Sequence, residues 1–353
     1  MKAKRIYASI EALLLVLIML SWVSCTKEED PTPTPVTPAY QTTPYEFNIP
    51  DYFPLFQVPK NNPTTVEGVA LGKRLYYDPM LSQGGPLEGN SCSSCHTQKG
   101  SFSKSTPYGT GFQVMAHINL NYTKNFLWDG LVQGELEDIA EFEVAEFFKA
   151  DVSLFRADST YKSMFYKAFG KTDFDEKDMA YAIAQHFRSL NSYNSKFDLF
   201  WDGKAELTPL EEMGYLIFNT ERGDCFHCHS FPLLSDHDFH NNGLDSTFEG
   251  INAGRFNVTG NVNDYGLFKS PTLRNVALTA PYMHDGRFET LEEVVEHYNS
   301  GVRHSPTLDA IMLKPGKEYG LQLSPMEKAA IVAFLKTLTD TSYTTNPEFS
   351  SPF

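Results

Sequence analysis

Hydrophobic and polar positions are distributed unevenly along the chain. Ile10 to Leu20 form an apolar run broken only by Glu11, and residues 26–44 (TKEEDPTPTPVTPAYQTTP) show almost no apolar periodicity. From about Tyr45 the composition turns globular, and Val66, Val69, Ala70 and Leu75 fall near one helical face. Thr208-Pro209-Leu210-Glu211 carries the signals of a helix start: Thr as cap, Pro at the first helical position, Glu at the third as in a capping box. Met213, Leu216 and Ile217 follow it. Ser324-Pro325-Met326-Glu327 repeats the arrangement ahead of Ile331, Phe334, Leu335 and Leu338. Thr290-Leu291-Glu292-Glu293 starts a third helix that runs through Val294, Val295 and Tyr298. No run alternates as strands do. The pattern predicts a mainly α protein with long irregular loops, of which Asn241–Asp264, rich in Gly and Asn, is one.

The apolar N-terminal run reads as targeting rather than structure. Lys2, Lys4 and Arg5 precede it, and Ser21-Trp22-Val23-Ser24 leads to Cys25. This resembles a bacterial lipoprotein signal, with residues 1–24 removed and Cys25 lipidated. A plain secretory signal or an uncleaved anchor is the alternative. Residues 25–45 then read as a Pro/Thr-rich tether. The acidic Glu28-Glu29-Asp30 resembles lipoprotein surface-export signals. The expected location is outside the cytoplasm, in the periplasm or at the cell surface, on a lipid anchor.

Charge narrows the partners. The formal net charge is −15. Without residues 1–24 it falls to about −17, with 26 basic against 43 acidic side chains. Such a field argues against nucleic-acid binding and is compatible with a basic electron-donor protein.

Five cysteines carry the chemistry. Apart from Cys25, they form Cys92-Ser93-Ser94-Cys95-His96 and Cys225-Phe226-His227-Cys228-His229. Two thiols three residues apart can add across the two vinyl groups of one porphyrin, and the next residue, His, reaches the iron. The rival is zinc held by two C-x-x-C pairs. Structural zinc pairs lie much closer in sequence and need no His after each pair. We therefore expect two covalent haem c groups and an electron-moving protein. The two histidines lie 133 residues apart. That spacing predicts two c-type cytochrome-like helical domains with one haem each, over 46–205 and 206–341, followed by a tail at 342–353.

Further segments resemble the dihaem cytochrome c peroxidase family, which includes the MauG-type enzymes that oxidise a partner protein. They are Leu71-Gly72-Lys73-Arg74-Leu75-Tyr76-Tyr77-Asp78-Pro79, Phe126-Leu127-Trp128-Asp129-Gly130, and the run from Lys269 to Gly286 (KSPTLRNVALTAPYMHDG). The resemblance covers about residues 63–340 and is loosest between Thr97 and Arg188. It implies that the N-terminal haem on His96 meets hydrogen peroxide, that the C-terminal haem on His229 relays electrons, and that Trp128 lies between them. It implies an electron donor such as a small cytochrome c or a cupredoxin, and leaves a homodimer open.

The sixth iron ligands decide between enzyme and carrier. Fourteen residues after His284, where most of these peroxidases have methionine, stands Tyr298, as in MauG-type enzymes. Met283 and the adjacent His297 are rivals, and Tyr298 as a plain core aromatic is the bland alternative. His284 resembles the family's second-shell histidine. Peroxide reduction needs a distal acid–base group, and the family uses a glutamate. The run Leu136–Phe147 lacks the family's preceding glutamine and proline, and its end points to Glu146, with Glu143 and Glu141 as runners-up. The family's capping histidine, sixteen residues after the first haem histidine, is replaced by Phe112, with His117 nearby. The resemblance also implies calcium on the backbone carbonyls of Thr279 and Pro281, with the family's asparagine falling near Gln113. Three functions remain open: peroxide reduction, MauG-like oxidation of a partner protein by a high-valent haem, and non-catalytic electron carriage.

Overall fold

The computed structural model describes residues 40–104 and 111–353. The expected signal, the lipidation site Cys25 and residues 25–39 of the tether lie outside the described residues. Helices dominate. We label α1 Val66–Tyr77, α2 Leu136–Phe142, α3 Ser159–Phe169, α4 Glu176–Ser189, α5 Pro209–Phe218, α6 Leu291–Glu296 and α7 Pro325–Thr337. Among the described residues, strand structure amounts to two antiparallel two-residue ribbons: Asn125–Phe126 with Val132–Gln133, and Phe239–His240 with Phe268–Lys269. No helix among them is long and apolar enough to cross a membrane.

The helix starts read from sequence form as capping boxes. The Thr208, Ser324 and Thr290 amides donate to Glu211, Glu327 and Glu293 at 2.7, 2.7 and 2.9 Å. Each box satisfies amides that the first helical turn leaves unpaired. The third helix ends sooner than its periodicity suggests, because α6 passes at His297–Gly301 into a π turn.

Two apolar clusters form. One gathers α1, α2, α3 and α4 around Leu71, Leu75, Ile139, Phe165 and Ile183. The other gathers α5, α6 and α7 around Ile217, Val295, Ile331 and Phe334. Each contains one close helix crossing made possible by a glycine. A Cβ on Gly72 would lie 1.9 Å from the Ala182 carbonyl oxygen, and one on Gly214 would lie 1.9 Å from that of Ala330. The segment expected as a tail instead packs back on the first cluster through buried Tyr343 and Phe349. The Tyr77 hydroxyl donates to the Phe349 carbonyl at 2.7 Å.

A buried polar seam joins the clusters. Arg274 makes a two-pronged ion pair with Asp198 at 2.9 and 3.0 Å, with both side chains almost wholly out of water. Burial pushes the Asp198 carboxyl up, but the Arg274 guanidinium outweighs it and holds the group below its ordinary value.

Candidate haem cavity

Both C-x-x-C-H strings face one cavity of about 570 Å³. Cys92–Cys95 is a single helical turn capped by Ser91, whereas Cys225–His227 is a 3₁₀ turn. None of the four cysteines pairs in a disulfide. The histidines are held alike: His96 Nδ1 lies 2.9 Å from the Phe102 carbonyl oxygen, and His229 Nδ1 lies 3.0 Å from that of Leu234. A carbonyl on Nδ1 fixes the ring and its tautomer and leaves Nε2 as the metal-binding nitrogen. Burial pushes both imidazoles below their ordinary pKa, His96 to about 4, so each is a neutral donor. Paired thiols, oriented imidazoles and an enclosed apolar lining fit two haem c groups.

At the first string Glu143 lines the cavity and Glu146 does not. Glu146, the acid–base residue expected from sequence, is exposed. Residues three apart share a face of a regular helix. Here Glu143–Phe147 is a π turn, whose i→i+5 bonding rotates Glu146 out to water. Burial pushes the Glu143 carboxyl up to about 7. Glu141 is exposed as well.

His117 stands beside His96 rather than across from it. The two rings stack with centroids 3.6 Å apart and planes at 16°. Ligands on opposite sides of one metal, each bonded at about 2 Å, would hold their ring centroids well beyond that distance. This geometry does not suit His117 as a replacement cap.

Trp128 lines the cavity and donates its indole N–H to the Gln113 carbonyl at 2.7 Å. The turn after it needs Gly130, whose φ is +70° and whose added Cβ would meet Phe239 at 2.3 Å.

At the second string Tyr298 lines the cavity, and its hydroxyl accepts from Asn242 Nδ2 at 3.1 Å. Burial, the largest cause, pushes the phenol up to about 12. Met283 also lines the cavity, 3.6 Å from the same amide. His297 turns away and bonds the Asn242 carbonyl at 3.0 Å. His284 holds Asn252 Oδ1 at 2.8 Å, stacks on Phe268 at 3.7 Å, and leaves Nδ1 buried without a partner. Thr279 and Pro281 share the lining with Gln113, whose buried Oε1 has no hydrogen bond.

Sequence reasoning missed three residues. Asn242 sits in the loop read only as Gly- and Asn-rich. His240, between Asp236 and Asp309 at 2.8 and 2.6 Å, lies just before it. Lys269, buried in the lining and pushed by burial down to about 8, was quoted only as the start of a motif. None carries a spacing signal, since each is brought in by loop geometry.

The model of the family described as Di-haem cytochrome c peroxidase matches residues 66–206. Cytochrome c551 peroxidase of Nitrosomonas europaea is 32% identical over 314 residues, covering 85% of this chain and 86% of that protein. Methylamine utilization protein MauG of Methylorubrum extorquens is 31% identical over 294 residues, covering 79% and 80%. The crystal structure of a MauG-like protein associated with microbial copper homeostasis superposes with a TM-score of 0.77 at 32% identity, covering 87% of this chain and 99% of that one.

Proposed function

This chain belongs to the di-haem cytochrome c peroxidase family, and from that premise we propose that it reduces hydrogen peroxide to water at the His96 end of the cavity, using electrons from a small redox protein. Family membership brings two haem c groups and an oxidoreductase activity. The observation that carries the finer reading is Glu143, a half-buried carboxyl lining the cavity at the first C-x-x-C-H string.

Cys92 and Cys95 would hold one haem through thioethers and His96 Nε2 its iron; Cys225, Cys228 and His229 would do the same for the second. When bound, the first haem supplies an open coordination position and electrons for breaking the O–O bond. The chain's own residues handle the protons. Glu143 as carboxylate takes the proton from the near peroxide oxygen and returns it to the far one, making water the leaving group. A carboxyl held near neutrality can both accept and donate at working pH. His117, stacked beside His96, leaves the opposite side for substrate. Trp128 shortens the path for electrons between the two ends. Tyr298, held by Asn242, would offer its phenol oxygen to the second iron, and such a donor would favour the ferric state more than a thioether does. His284 orients the lining beside it. Gln113 Oε1, with the carbonyls of Thr279 and Pro281, would complete a calcium site of oxygen donors. Lipidation at Cys25 would keep the protein outside the cytoplasm.

MauG-like oxidation of a partner protein is the second reading, favoured by a tyrosine, Tyr298, lining the cavity where it could reach the second iron. The holoprotein separates the three functions. A high-spin ferric band together with steady peroxide turnover by a cytochrome or dye donor supports the peroxidase. A peroxide reaction without such turnover supports partner oxidation. Two low-spin haems inert to peroxide would leave only a carrier.

A further inference from the structure

One charged side chain in the cavity wall has no counter-charge. Lys269 ends the second strand of the Phe239–His240 and Phe268–Lys269 ribbon and is 6% exposed. Its amide donates to the Trp128 carbonyl at 2.8 Å, so it stands at the loop that carries the tryptophan. The ribbon belongs to the second C-x-x-C-H string. Ser270, the next residue, donates from its hydroxyl to the Cys228 carbonyl at 3.4 Å, and its own carbonyl accepts from Ser235 at 2.7 Å. The lining holds one other lysine, Lys317, which is already bonded to the Asp224 carboxylate. Among the described residues no arginine joins this lining.

The acids of the wall are committed elsewhere. Asp224 goes to Lys317, Asp309 holds His240, Asp129 accepts from the Leu131 amide at 3.1 Å, and Glu143 stands at the first string. Burial is accordingly the one cause acting on the Lys269 amine. His237, in the same lining, offers it no charge. The Ser235 proton goes to the Ser270 carbonyl, so His237 Nδ1 donates to Ser235 and Nε2 is left as a buried lone pair without a partner. A buried cation is costly unless an anion comes to it, and interiors pair such charges. Each haem c carries a pair of carboxylate side chains, and these are the anions that two cofactors would bring to a wall otherwise poor in cations.

We propose that Lys269 is the counter-ion of a carboxylate side chain of the second haem, a positioning residue that holds this edge of the cofactor at the Trp128 loop and raises the reduction potential of its iron. The inference rests on the two-haem reading and not on the peroxide chemistry. An ammonium donating to a carboxylate makes a charge-assisted hydrogen bond, strong in a wall shielded from water. It also cancels a negative charge that would otherwise stabilise the ferric iron. The phenol oxygen of Tyr298 pulls the potential the other way. Lysine and tyrosine thus set the relay end from opposite directions, and the lysine needs only its charge and reach to do so.

The test uses the two-haem holoprotein, with optical spectra taken at stepped potentials to give a midpoint for each haem. Lys269→Gln should lower the midpoint of the His229 haem, by about tenfold in the ferric-to-ferrous ratio at a fixed potential, or about 59 mV for a one-electron couple. The His96 haem should move less, and Lys269→Arg, which keeps the charge, should restore most of the shift. The resting optical bands of both haems, retained in each variant, are the folding check. Midpoints unmoved in Lys269→Gln overturn the proposal, as does a shift confined to the His96 haem. Altered resting bands shared by Lys269→Gln and Lys269→Arg would mean that the amine bonds an iron instead, and also overturn it. Should Lys269→Gln fail to assemble, Lys269→Arg decides alone: assembly with a wild-type midpoint supports the counter-ion, and failure of both overturns it. A wild-type protein carrying fewer than two covalent haems sinks the two-haem reading itself, before any variant is made.

Discussion

In the N-terminal half Gly72 lets α1 ride on the Ala182 carbonyl of α4; in the C-terminal half Gly214 lets α5 ride on the Ala330 carbonyl of α7. The correspondence runs further. His186 and Phe334 each lie four residues beyond those alanines, and each receives an aromatic ring at 5.1 Å. Both haem-string histidines take a carbonyl on Nδ1. The same helix crossing and the same histidine–carbonyl contact are thus built twice. What differs is the polar equipment added to them. The first half adds Glu143, His117 and the Tyr76 hydroxyl. The second adds Tyr298, Asn242 and the Asp236–His240–Asp309 group. On the proposed reading, the repeated frame would hold two cofactors, and a handful of side chains projecting from irregular turns would set which end does chemistry.

Removing the acid–base group from the first half should have the largest effect. Glu143→Gln should lower kcat by about 10²–10⁴-fold, the usual worth of a positioned proton carrier. Glu146→Gln, on the exposed side of the same π turn, should leave kcat almost unchanged. The pH profile adds a second readout. Burial holds Glu143 at about 7, and the form that attacks the peroxide proton is the carboxylate. In wild type kcat/KM should therefore rise as pH passes upward through about 7 and then level off, whereas Glu143→Gln should be flat. Equal losses in the two variants would place the chemistry elsewhere.

Next comes the seam between the halves. Asp198→Ala leaves the Arg274 guanidinium buried without its carboxylate, and breaking a buried pair from one side costs about 3–5 kcal/mol. Denaturant unfolding of the holoprotein should show that loss. If it instead leaves two transitions, one of them at the wild-type midpoint, the halves fold independently.

The frame was far more legible in the sequence than the equipment. Capping boxes at Thr208, Thr290 and Ser324 announce helices because the cap and its carboxylate are neighbours in sequence. The C-x-x-C-H strings announce cofactors for the same local reason. Glu143 ranked only as a runner-up to Glu146 because its orientation depends on a π turn, and the periodicity of Leu136–Phe147 is that of an ordinary helix. Asn242 and His240 were hidden because a loop carries them to Tyr298 from 56 and 58 positions away. The packing of Tyr343 and Phe349 was not legible because their apolar partners, such as Phe102, lie far away in sequence.

Gly72→Ala and Gly214→Ala sharpen the comparison at the crossings. Each inserts a methyl group where a backbone carbonyl already lies, so the helices must separate, at about 1–3 kcal/mol apiece. If the two crossings serve their own cofactors, the first variant should disturb the optical spectrum of the His96 haem and the second that of the His229 haem. Both variants perturbing the same haem would break the correspondence.

The smallest effect tests whether the two entry helices are anchored alike. Thr65 caps α1, accepting from the Gly68 amide at 3.0 Å, and is almost fully buried. Its hydroxyl also reaches Gln185 Oε1 on α4 at 3.3 Å, and its own amide reaches the same oxygen at 2.9 Å. Thr208 caps α5 in the open, bonded only within its own first turn. Loss of a cap costs about 0.5–2 kcal/mol, the low end applying where water can replace the hydroxyl. Thr208→Ala should therefore fall near 0.5 kcal/mol and Thr65→Ala near 2 kcal/mol, because the latter leaves a buried amide without its acceptor. Unfolding midpoints at matched denaturant slope would measure the difference. A larger loss in Thr208→Ala would mean that the α1–α4 crossing draws its strength from Gly72 and the ring of Tyr76 alone, with the buried cap contributing nothing to the N-terminal half.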